Sequence, residues 1–104
     1  MILKTWLHER RPAPPARLAG RIEEVLGARC EADSVSAAAH CLDAAEALLK
    51  ELVMRPSFGR ECALDLLTVD ALVTYAFEAE AEAPASIEPN ATAAMIRLTA
   101  TARQ

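Results

Sequence analysis

The segment from Arg60 to Glu82 constrains this chain most, because it has helix length and carries apolar residues on two opposite sides. A helix of that kind cannot lie on the surface of a small domain. It has to be sandwiched, within a bundle or between two copies of the chain. At about 100° per residue, Cys62, Leu66, Val69, Val73, Ala76 and Phe77 form one face, and Leu64, Leu67, Ala71 and Tyr75 form the other. The pattern predicts a helical bundle and hints at self-association. It names no reaction.

Composition supports the helical reading. The chain has 104 residues, room for one core, and its 23 alanines supply much of a 53% hydrophobic content. Aromatics make up only 4% and there are three glycines. Alanine loses no side-chain entropy in a helix and packs poorly on a pleated surface, so this balance favours helix over sheet.

Prolines and glycines punctuate the rest. Residues 1–11 form a short N-terminal clip with Ile2, Leu3, Trp6 and Leu7 as its apolar side, and residues 12–15 form a stiff connector with Pro12, Pro14 and Pro15. A helix over 15–26 buries Leu18, Ile22, Val25 and Leu26, turns Arg17, Arg21 and Glu24 outward, and stops at Gly27. A longer helix over 34–54, capped by Asp33 or Ser34, carries Val35, Ala38, Leu42, Ala45, Leu49, Leu52 and Val53 at alternating steps, flanked by Cys41 and Leu48. Arg55-Pro56-Ser57-Phe58-Gly59 is a tight connection to the helix over 60–82, and Pro84 closes that helix. A last helix over 90–102 has Met95, Leu98 and Ala102 as its stripe. The expected fold is a single all-α domain, a small four-helix bundle. Its long antiparallel hairpin, 34–54 against 60–82, is flanked by 15–26 and 90–102, with the clip packed at one end.

The formal net charge of −4 argues against a general nucleic-acid binder, since phosphate contacts need a basic face. The charge is uneven. Residues 1–29 hold Lys4, Arg10, Arg11, Arg17, Arg21 and Arg29 against three acids, and the remaining 75 residues are strongly acidic. The basic end suits an acidic protein partner, or the acidic end of a second copy. Three cysteines (Cys30, Cys41 and Cys62), without C-x-x-C spacing, point to free thiols and a reducing compartment. No apolar run reaches the ~20 residues of a membrane span and the N-terminus has no secretion signal, so a cytoplasmic protein is expected.

Catalytic and metal chemistry find little foothold. The paired-metal bundle motif needs Glu-x-x-His on two helices, and neither His8 nor His40 follows a glutamate at that spacing. His40 lies opposite the apolar arc of its helix while Cys41 borders it, which works against a zinc site or a Cys–His nucleophile. No metal or cofactor is expected. Asp70 is the candidate site residue, placed between the two apolar faces on a seam with Ala63, Thr74 and Ala81. A buried carboxylate there would need a hydrogen bond or an arginine, and Asp65 raises the same question. The first functional reading is a non-enzymatic interaction or assembly protein, a homodimer using Leu64, Leu67, Ala71, Tyr75 and Trp6. The alternative is a small-molecule-binding or sensing bundle with Asp70, Thr74 and Tyr75 beside a pocket.

Overall fold

The computed structural model describes residues 1–55, 59–82 and 87–102, the side chains of 87–94 excepted. The chain is all-α. Among the described residues five α-helices run in order: α1 (Leu3–His8), α2 (Ala16–Leu26), α3 (Ala37–Met54), α4 (Arg60–Ala81) and α5 (Ile87–Ala102). Short 3-10 turns at Gly27–Glu31 and Ser34–Ser36 join α2 to α3. The connection expected at Pro56-Ser57-Phe58 and the stop at Pro84 fall outside the described residues. Among the described residues, no helix is long and apolar enough to cross a membrane.

Local chemistry sets the boundaries. Pro15 precedes the first helical residue of α2, and Gly27 ends that helix with φ of +55°, a left-handed conformation that glycine adopts without steric strain. Asp33 accepts from the Val35 backbone N–H at 2.9 Å, so the cap expected for the long helix acts on the 3-10 turn that leads into it. The clip folds back onto this turn: the Leu3 N–H donates to the Ala32 carbonyl at 2.7 Å, and the Ser34 N–H to the Met1 carbonyl at 2.9 Å. Leu3, Trp6 and Leu7 are thereby buried in the same core as Ile22, Leu26, Cys41 and Leu72.

Helices α3 and α4 form the central hairpin, with α2 and α5 packed against both. The buried arc of α3 is Ala37, Cys41, Ala44, Ala45 and Leu48, turned from the expected seam. Val35 stands 87% exposed, while Leu42, Leu49 and Leu52 are half-buried. Small alanines let neighbouring helices approach α3 closely, so the residues nearest its neighbours are not its largest.

The stripe of α4 that faces the core is Asp65, Thr68, Leu72, Tyr75 and Ala76. It lies between the two apolar faces read from the sequence. On α5, Met95 and Ala102 point outward and Thr101 is buried, with Leu98 half-buried. Arg97 sets this rotation by reaching Asp43 at 2.8 Å and Glu46 at 3.2 Å on α3. The buried Thr101 hydroxyl is satisfied by donating to the Arg97 carbonyl at 3.0 Å.

Candidate functional site

The buried carboxylate of α4 is Asp65, not Asp70. Arg21 of α2 grips it through Nε at 2.8 Å to Oδ1 and Nη2 at 3.4 Å to Oδ2, and Arg55 at the end of α3 donates from Nη1 to Oδ2 at 2.8 Å. Arg21 also pairs with Glu24 at 3.1 Å. The hydrogen bond from Arg21 is the largest influence on Asp65, and with Arg55 it outweighs burial and holds the carboxyl below the usual carboxylate range. A carboxylate held this firmly ionised is a clamp joining α2, α3 and α4, and a poor proton carrier near neutrality. Arg21, expected on the solvent side of α2, instead reaches α4. The signal for Arg55 was the hairpin itself, which returns the end of α3 to the first turns of α4.

The three residues expected to share a pocket do not converge. Asp70 and Thr74 are exposed on the outward arc of α4, together with Ala63 and Ala81, so the seam of small and polar residues faces solvent. The Thr74 hydroxyl donates to the Asp70 backbone carbonyl at 2.9 Å rather than to its carboxylate. Tyr75 points the other way and is buried.

The expected second face is likewise divided. Ala71 packs against the core, and Tyr75 meets Trp6 edge to face with ring centroids 6.4 Å apart. Leu64 is half-buried, while Leu67 is exposed. The chain therefore covers much of the face expected to meet another subunit. Of that set, only Leu67 is exposed. Beside it on the outward arc are Arg60, Ala63, Leu66, Asp70, Thr74 and Glu78, all exposed.

Trp6 closes one end of the bundle. Its indole N–H donates to Glu82 Oε2 at 3.3 Å, and the Arg10 guanidinium lies 4.1 Å over its ring while pairing with Glu82 Oε1 at 3.1 Å. Arg10 with Glu82, Arg21 with Asp65 and Arg29 with Asp43 thus satisfy part of the basic N-terminal segment within the chain. Next to Trp6, a cleft of about 220 Å³ opens between α1, the connector and α2. Leu7, Ala19, Ile22 and Tyr75 form its floor, and His8, Arg10, Arg11 and Glu23 stand at its rim.

Compared with protein-family models, curated proteins and solved structures, the chain matches none.

Among the described residues the three cysteines form no disulfide, and Cys30 and Cys41 are buried while Cys62 is half-buried. Burial pushes the Cys41 thiol up to about 12 and raises Cys30 as well, so neither offers a thiolate near neutrality. His40 Nδ1 sits 3.0 Å from Arg29 Nη1, an arrangement in which the ring nitrogen accepts and the other carries the proton. Among the described residues, no three or more His, Cys, Asp or Glu gather into a group able to hold a metal ion.

Proposed function

We propose that this chain is a non-enzymatic interaction and assembly protein that pairs with a second copy of itself through the outward arc of α4. One observation carries the reading: Leu66 and Leu67, adjacent leucines each 55% exposed, lie midway along an arc of α4 whose residues are all exposed. Isolated exposed leucines need no explanation, but two together beside Ala63 offer a surface that gains by leaving water.

The arc also suits a second copy by charge. Arg60, Leu67 and Glu78 fall on one line of the helix, and among the described residues neither Arg60 nor Glu78 has an ion-pair partner. Two α4 helices laid antiparallel bring Arg60 of each copy to Glu78 of the other and centre the leucines between them. This is the self-complementary arrangement that a two-fold dimer requires.

Affinity is expected to be modest. Each half-exposed leucine contributes about 1 kcal/mol on burial, so the two from each copy together contribute about 4 kcal/mol, which points to weak association at roughly millimolar concentration. Sedimentation equilibrium up to that concentration should report a reversible monomer–dimer equilibrium. Leu67→Glu should abolish it and change unfolding stability by no more than about 0.5 kcal/mol, because the side chain is already half in water. A mass that stays monomeric at every concentration, or a dimer indifferent to Leu67→Glu, would refute the reading.

A further inference from the structure

We propose that the cleft beside Tyr75 binds a small monocarboxylate whose apolar body is the size of an aromatic ring. The site lies away from the outward arc of α4, on the side of that helix where Tyr75 meets Trp6. Its volume, shape and polarity each restrict the ligand. An apolar cavity of about 150 Å³ suffices for benzene, so 220 Å³ takes a ring and a short acidic arm but no larger ring system. The floor of Leu7, Ala19 and Ile22 offers the ring no polar partner, whereas the rim is charged. Such an apolar pocket with a few converging polar groups is the usual form of a small-ligand site.

The rim selects the sign of the ligand. Two guanidiniums, Arg10 and Arg11, face one carboxylate, Glu23. Glu23 is already engaged by His8, whose Nε2 lies 3.1 Å from its Oε1. Arg10 is committed to Trp6 and Glu82 and contributes mainly its field. Arg11 is different. It donates from Nη1 to the carbonyls of His8 at 2.8 Å and Arg10 at 2.7 Å, which fixes the guanidinium. Among the described residues, its Nε and Nη2 have no acceptor and no acid pairs with it. A guanidinium held in place with open donors is suited to a carboxylate.

Tyr75 adds a second polar anchor. Tyr75 is only 8% exposed and lines the cleft, and among the described residues its hydroxyl makes no hydrogen bond. The hydroxyl oxygen is not itself sealed from solvent, so it can donate to the oxygen of a ligand that enters the cleft. A dicarboxylate would press its second charge against the apolar floor, and inorganic phosphate would leave that floor unfilled.

The test uses Trp6, the single tryptophan, which packs on Tyr75 without lining the cleft and so reports binding by its fluorescence. Titration with 3-phenylpropionate should give a saturable change at roughly millimolar concentration, as suits so small a ligand. The uncharged 3-phenylpropionamide should bind at least about fivefold more weakly, and propionate, lacking the ring, should give no response over the same range. Arg11→Gln should weaken the acid about three- to tenfold and leave the amide unchanged. Ala19→Phe fills the floor and should abolish both responses, with circular dichroism showing intact helices. No saturable response to 3-phenylpropionate up to about 10 mM would overturn the site. Equal affinity for acid and amide, or an acid affinity unmoved by Arg11→Gln, would overturn the carboxylate.

Discussion

Asp65 and Asp70 stand little more than one turn apart on the same helix, in opposite surroundings. Asp65 is buried and gripped by two arginines, whereas Asp70 is exposed on the outward arc beside Leu66 and Leu67. A helix that turns an aspartate and a threonine inward while leaving two leucines outside is inverted relative to its hydropathy. The contrast shows what decides burial here. A polar group enters the core when the fold supplies its partner, and an apolar group stays outside when no element reaches it. The outward leucines then need another reason to be there, and the proposed second copy of the chain would supply one.

The largest effect should separate the two sides by packing alone. Leu72 is fully buried at the centre of the inward stripe, so Leu72→Ala should destabilise by about 2–5 kcal/mol through lost transfer energy and a residual cavity. Leu66→Ala should change stability by less than about 0.5 kcal/mol in the monomer. Urea unfolding of both variants at low protein concentration, where the proposed dimer would be dissociated, measures the difference. Equal losses would mean that another part of the chain covers Leu66.

The two aspartates give the next comparison. Asp65→Asn keeps the shape but leaves Arg21 and Arg55 without their shared carboxylate. The cost should be about 2–3 kcal/mol, below the ~3–5 kcal/mol of a fully buried pair because both guanidiniums retain contact with water. Asp70→Asn should stay within about 0.5 kcal/mol.

The pH dependence sharpens this further. The folded state holds the Asp65 carboxyl below its unfolded value, so the stability it contributes is present above pH ~4 and is lost as pH falls through the lower folded value. The gap between wild type and Asp65→Asn measured at pH 7 should therefore shrink in unfolding measurements between pH 4 and 2. A gap that persists unchanged at pH 2 would mean that charge pairing is not what Asp65 contributes.

The helix boundaries were legible because local chemistry writes them: Pro15 before α2, Gly27 after it, and Asp33 ahead of α3. The rotation of α4 was not. A helical wheel sets Asp65 at the border of the exposed side with an arginine partner expected for it, but carries no record of which one, and Arg21 arrives from α2, 44 residues earlier. Asp70 drew attention because it lay between two leucine-rich faces, and those faces proved to be the flanks of the buried stripe and part of the solvent side. The cleft was hidden for a related reason. It is assembled from Leu7, Arg11, Ile22 and Tyr75, which share no motif and meet only after the clip folds back.

The smallest effect probes the inversion most closely, through the two threonines of α4. Thr68 is fully buried and its hydroxyl donates to the Leu64 carbonyl at 2.8 Å, while exposed Thr74 donates to the Asp70 carbonyl at 2.9 Å. Each carbonyl also receives the backbone N–H four residues on, as in any α-helix, so losing the hydroxyl orphans no acceptor. Valine replaces the hydroxyl with a methyl of similar size. At Thr68 that methyl enters an apolar interior, and Thr68→Val should be neutral or stabilising by up to about 1 kcal/mol. At Thr74 the methyl stays in water, and Thr74→Val should change stability by no more than a few tenths of a kcal/mol. Thermal unfolding of both variants distinguishes the cases. A stability loss above about 1 kcal/mol for Thr68→Val would mean that its hydroxyl holds the inward stripe together, and that α4 is buried by polar specificity rather than by tolerance of satisfied polar groups.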